Sequence, residues 1–421
     1  MNIHGEGKNR IDQDYPYLRL LCTIVSFYFL FTALRGLFGM IEFRLPDLCI
    51  FIILSVYVIS YDSIRNNISL IGISILFTAL IISAVGIVIE YPWNLYWSGL
   101  SWEIFPMLFF FVGSNKHMAN NDIFERGILI VFLVSLIGLW LFLTLPSWYV
   151  SFRMENQTNY SQNSILEMTR LSAFWDYPYW VSYGTAIIYF YLLCKYCYLE
   201  QVSLKMKVLS LFFLSILLLT QQRAPIGFSF LTTFAVFVYS CYNKKLKKVR
   251  FFLIQLFVVI LLLFIIASFI ISEELIEFMT KKVTILFDDS TDSSFIEYRA
   301  QIFSDFSDKT VSLWGDGIGR YSHLALLTGG KGISDQQYLK MLYETGYFGF
   351  CSRLLIIGII LLKGISNFRN YFFEVGIIIM FLISMFGANS LAVREMHCWI
   401  FWLCCGRIYN KKKIVWVNCK R

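Results

Sequence analysis

Apolar runs of about 17–25 residues, the length a helix needs to cross a bilayer, recur along most of this chain. Hydrophobic residues make up 57% of the 421 and charged residues only 15%. An ordinary soluble domain carries roughly 25% charged residues, so a soluble fold has nowhere to hide this surface. The expected fold class is an all-α integral membrane protein with about twelve transmembrane helices and one large outward-facing loop carrying short helices. The spans fall near 18–38, 47–60, 68–89, 100–113, 127–146, 178–199, 206–221, 224–242, 250–272, 346–364, 371–390 and 395–409. The expected organisation is an N-terminal bundle over 1–272 with an outward-facing loop near 147–177, a large loop over 273–345, and C-terminal spans with a tail over 346–421.

The net charge of +8 raises nucleic acid as a partner. Its distribution excludes that reading. Lys205 and Lys207, the group Lys244, Lys245, Lys247, Lys248 and Arg250, and Lys411–Lys413 fall in alternate gaps between spans. That alternation is the positive-inside pattern that sets topology. It places both termini in the cytoplasm and the loops 147–177 and 273–345 on the opposite side. The polar first stretch lacks a small-residue cleavage site, so the first run is expected to be an uncleaved span. Trp93, Trp97, Trp102, Trp148, Trp175 and Trp180 lie near outer span ends and read as an interfacial belt. Most cysteines sit in or beside apolar runs and read as buried structural residues, the Cys194/Cys197 pair included.

Four outward segments carry polar chemistry. Thr169–Trp180 places Arg170 and Asp176 at a span entry, with Pro178 opening the helix. Leu219–Phe228 places Arg223 in a tight turn between apolar runs, where it is either functional or snorkelling to headgroups. The stretch Glu297–Asp316 sets Arg299 near an apolar helical edge, and Trp314–Arg320 (WGDGIGR) allows a sharp turn and close approach of a ligand. In Ser334–Gly346, Ser334 and Gln337 have capping-box spacing. A helix starting there puts Asp335 and Tyr338 on one face, and Glu344 and Gly346 mark re-entry into the membrane.

Arg170, Arg223, Arg299 and Arg320 then stand on one side of the membrane. Guanidinium forks suit phosphate oxygens, so a lipid-linked pyrophosphate would find charge there and an apolar place for its tail. Arginines can stabilise such a leaving group without a metal, and no cluster has metal-ligand spacing. Asp335, with His323 as the other candidate, could take the proton from an attacking sugar hydroxyl. Asp335, Arg299 and His323 are the catalytic candidates; the four arginines and Tyr338 are the candidates for holding substrate.

With these motifs in order, the chain resembles the bacterial O-antigen polymerase and ligase family (Wzy and WaaL types). The resemblance runs from Arg170 to Phe350 through TRLSAFWDYPYW, QQRAP, GDGIG and DQQYLKMLYETG. Where the ligase pattern has His-Asn this chain has Asp335-Gln336, which favours a polymerase. The serine of the arginine turn is Gln222, and the proline–asparagine pair is Pro178-Tyr179. The resemblance implies a metal-independent, inverting glycosyltransferase in the bacterial inner membrane that needs no cofactor. It would transfer a growing glycan from undecaprenyl pyrophosphate to the non-reducing end of an incoming lipid-linked unit. Implied partners are that glycan and membrane lipid, with a chain-length regulator (Wzz-like) and a flippase as possible neighbours. The alternatives are a ligase acting on lipid A–core, or a flippase or other transporter. A transporter would bury charges within its spans, break helices near the midplane and show internal repeats. In the sequence the charges fall at outer span ends. A non-catalytic assembly partner would not need so many spans.

Overall fold

The computed structural model describes residues 16–34, 45–60, 69–115, 122–144, 146–149, 171, 179–198, 203–220, 222–242, 310–322, 325, 332–333, 336–387, 391 and 396–410. All regular structure among them is helical. In chain order the helices are α1 (Pro16–Leu34), α2 (Leu45–Ile59), α3 (Leu70–Val88), α4 (Trp93–Ser114), α5 (Asp122–Thr144) and α6 (Tyr179–Tyr198). They continue as α7 (Leu204–Thr220), α8 (Arg223–Tyr242), α9 (Gln337–Ser366), α10 (Phe368–Ser384) and α11 (Met396–Ile408). Among the described residues, four stretches are long and apolar enough to cross a membrane: Leu70–Val88, Trp93–Ser114, Ile123–Thr144 and Gln337–Ser366. Leu20–Leu34, Leu45–Ile59 and Asn370–Ser384 are apolar but shorter. The expected span at 250–272 lies outside the described residues.

The outward faces of these helices stay apolar. On α3, Leu70, Phe77, Leu80 and Val88 are all exposed while Ile75 and Ile82 are buried. That suits a helix with lipid on one side and protein on the other. α6 is the centre of the bundle, packed against α5, α7, α8, α10 and α11. Its residues Tyr183, Ile187, Tyr189, Tyr191 and Cys194 are buried. α4 and α11 approach most closely, because a Cβ at Gly113 or Gly406 would overlap the facing backbone. Small residues let helices meet this way where no hydrophobic effect drives association.

Two polar knots tie the far end of the bundle. Arg407 Nε donates to Glu374 Oε1 at 2.8 Å, both side chains buried. Asn410 Nδ2 donates to the Asn115 carbonyl at 2.8 Å, and Asn115 Nδ2 donates to the Tyr57 hydroxyl. Lys363 lies over the Tyr409 ring, 3.5 Å from its centroid. Lys195 and Glu125 pair at the same end, with Tyr191 donating to that carboxylate.

Three details differ from the sequence expectation. The fourth span begins at Trp93, seven residues before the expected 100, and contains a turn of π-helix at Leu100–Ile104 followed by a 3-10 turn at Phe105–Leu108. Trp97 therefore lies inside the helix, its ring edge-on to Phe105. One of the expected belt tryptophans is not at the surface. Trp93 and Trp148 are exposed, but Trp180 is a core residue whose Nε1 donates to Thr32 Oγ1. Trp175 lies outside the described residues. Finally, the boundary drawn at 345/346 falls within α9. The polar residues just before it are buried, since Lys340 and Glu344 have partners inside the bundle.

Candidate functional site

The helix α9 breaks at Gly346, where φ is 63° and ψ is −174°. In an unbroken helix the N–H groups of Tyr347 and Phe348 would reach the carbonyls of Tyr343 and Glu344. The break orphans all four groups, and buried backbone groups need partners. The glycine turn supplies each of them. Asp316 and Gly317 donate their N–H groups to the carbonyls of Tyr343 (2.9 Å) and Glu344 (3.0 Å). Tyr347 and Phe348 donate to the carbonyls of Ser312 (3.3 Å) and Leu313 (3.0 Å). The segment Ser312–Gly317, which includes the first half of WGDGIGR, is thus the second half of a broken helix's hydrogen bonding.

Glycine is required where the two backbones touch. Gly315 has φ 81°, and a Cβ there would overlap the backbone of Gly346 and Glu344. A Cβ on Gly346 would in turn overlap Gly315 and Leu313. The far side of the turn lies on α4, with Gly319 against Leu95 and Gly99. Tyr91 Oη donates to the Ile318 carbonyl at 2.8 Å. Burial pushes that phenol above its ordinary range, so it stays a donor. The sequence reading gave these glycines to a sharp turn, which is present, and to the close approach of a ligand. The structure fills the space with the chain's own backbone.

Beneath the turn lies a buried ionic quartet. Glu103, in the π-helical turn of α4, accepts from Lys340 Nζ at 2.9 Å through one oxygen and from Arg353 Nη1 at 2.8 Å through the other. Lys340 also faces Glu344 Oε2 at 3.6 Å. Glu344 Oε1 accepts the N–H of Tyr321 at 2.8 Å. Two carboxylates and two cations balance formally, and all four side chains are at most 6% exposed. The π-helical turn adds a residue to the α4 ladder, and such bulges often occur at functional sites. Here it carries Glu103.

The turn itself presents polar groups outward. Trp314 and Arg320 are exposed, and Asp316 is partly so. Arg320 donates to the Asp316 carbonyl at 3.2 Å. Tyr321 Oη donates to Asp316 Oδ2 at 2.6 Å.

Of the sequence-derived site residues, Arg170, Arg299, His323 and Asp335 lie outside the described residues. Arg320 is on the turn. Arg223 is exposed at the first position of α8. Leu171, next to Arg170, donates its N–H to the Leu219 carbonyl at 3.1 Å, which ties that segment to the end of α7 just before Arg223. Tyr338 Oη donates to the Leu382 carbonyl at 2.7 Å, so this phenol holds α9 to α10. The capping box is not the helix start. α9 begins at Gln337 with Gln336 as its cap. Tertiary contacts close that end: Gln337 N–H donates to the Met385 carbonyl, and its side-chain oxygen accepts from Leu391 N–H. The helix therefore starts after the Ser334–Asp335 pair, which lies outside the described residues.

Glu103, Lys340 and Arg353 had no role in the sequence reading, and Glu344 only marked a boundary. Glu103 and Arg353 are single charges within apolar runs, a signal that can be read from sequence. The buried charges also remove the argument that charges here sit only at span ends. No protein-family model matches the chain, and no curated protein matches it significantly.

Proposed function

We propose that the protein is a membrane glycosyltransferase that polymerises polyprenyl-pyrophosphate-linked oligosaccharide units, as O-antigen polymerases do, on the non-cytoplasmic face of the bacterial inner membrane. The observation that carries this reading is the glycine turn. It fixes an indole, a carboxylate and a guanidinium (Trp314, Asp316 and Arg320) at one end of apolar helices. A sugar, its hydroxyls and a pyrophosphate need those three chemistries, and a polyprenyl tail needs the apolar wall. The ordered motifs around Arg170, Arg223, Arg299 and Asp335 add support through their resemblance to that family. A chain-length regulator and a flippase would be its natural neighbours.

Replacing Arg223, Arg299 or Arg320 with Ala is expected to lower polymer formation by about 10²–10³-fold, with the protein still folded in the membrane. Reconstituted liposomes supplied with a lipid-linked repeat unit report this on a gel. Normal chains from all three variants would count against a pyrophosphate cradle.

A transporter of lipid-linked glycans is the second reading. The buried quartet and the broken helix favour it, since both recur in carriers. Arg353 also keeps Nε and Nη2 without a hydrogen-bond partner among the described residues. Elongation without translocation supports the enzyme; translocation of an unextended unit supports the carrier.

A further inference from the structure

In the reading above, the carboxylate of this turn only meets sugar hydroxyls. Asp316 lies between Gly315 (φ 81°) and Gly317 (φ 103°), and its N–H is fixed to the Tyr343 carbonyl. Its backbone is therefore among the most constrained in the site, while its side chain remains partly exposed. Tyr321 donates its phenol to Oδ2 at 2.6 Å. Burial first, then this hydrogen bond, pushes the phenol above its ordinary range, so it orients the carboxylate without competing for a proton. Tyr321 is itself held by Glu344 through its N–H. A chain of contacts thus runs from the buried quartet to this one side chain. On one side of Asp316, Arg320 is exposed. On the other, Trp314 rests on Phe348 at 5.4 Å between centroids and stays 48% exposed, which leaves ring surface for a sugar face.

We infer that Asp316 is the proton acceptor of the transfer, with Trp314 and Arg320 flanking it as the seat of a lipid-linked sugar. The inference rests on the glycosyltransferase reading. The acceptor hydroxyl oxygen forms a bond to the donor's anomeric carbon. The bond from that carbon to the pyrophosphate oxygen breaks, and polyprenyl pyrophosphate leaves with the electron pair. The hydroxyl proton passes to the Asp316 carboxylate and then to water. A partly exposed carboxylate oriented by the Tyr321 hydroxyl, on a turn that also carries an exposed guanidinium, meets the geometric demand on a general base, which must reach the proton it takes.

The test is chain elongation in liposomes with a polyprenyl-pyrophosphate-linked repeat unit. Asp316→Ala is expected to slow elongation by about 10²-fold or more, and added formate to restore part of the rate. Tyr321→Phe is expected to keep most of it. Asp316→Asn keeps the side chain's shape and carries the same test if the alanine variant does not fold. A wild-type protein that elongates while Asp316→Ala and Asp316→Asn do so equally well would overturn the inference alone. So would a loss in Asp316→Ala that formate leaves unchanged and Tyr321→Phe matches, since that pattern marks a structural role. A wild type that forms no polymer would remove the underlying reading, and this inference with it.

Discussion

Glu103→Ala is expected to destabilise the folded protein by about 3–5 kcal/mol, the usual cost of leaving a buried charge without its partner. The carboxylate is the shared acceptor of Lys340 and Arg353. Its loss leaves two cations facing each other inside the bundle, with Glu344 the remaining counter-charge near Lys340. Glu103→Gln keeps the volume but not the charge and should fall between. A double change of Glu103 and Arg353 to Met should recover much of the loss, because a buried pair replaced whole by apolar groups is often near neutral. Equilibrium unfolding of the purified protein in detergent or bicelles checks all three. A Glu103→Ala protein as stable as the wild type would mean that the quartet contributes nothing to the fold.

Gly346→Val should unseat the glycine turn and abolish activity. With φ 63° and ψ −174°, Gly346 sits in a region essentially reserved for glycine, where another residue costs about 1–3 kcal/mol, and more for a β-branched one. The larger effect is steric, since the new Cβ would overlap the Gly315 and Leu313 backbone. The turn would have to lift, and the hydrogen bonds that Asp316, Gly317, Tyr347 and Phe348 make across the break would be lost with it. Limited proteolysis between 312 and 322 should accelerate while the rest of the bundle remains resistant. Gly358→Ala is the control in the same helix, because, apart from its own helix backbone, no atom of the described residues lies within 4 Å of its added Cβ. Equal proteolysis of the two variants would show that the turn does not depend on the break.

The helical, membrane-like character was legible at once, because run length and composition leave few alternatives. So was the importance of the segment around 314–320. Its mechanism was not. A glycine cluster shows that backbones approach closely, but not whose. Only the positive φ at Gly346, twenty-six residues after Arg320, shows that the partner is a broken helix. The quartet was half-legible. Glu103 and Arg353 each interrupt an apolar run, yet nothing in the sequence pairs them until α4 and α9 are placed together. The start of α9 was misread because the Ser334/Gln337 spacing is a local signal, while Met385 and Leu391 are contributed from more than forty residues away. Trp180 was misread for a similar reason. Tryptophans near span ends are common in interfaces and in cores, and only its bond to Thr32 on α1 decides.

The most direct test of the account is to place the purified protein in liposomes with a single lipid-pyrophosphate-linked repeat unit and resolve the products by length. The account predicts a ladder of lipid-linked chains formed without nucleotide sugar, metal or a second protein. Units that remain one repeat long, or that cross the bilayer unextended, would contradict it.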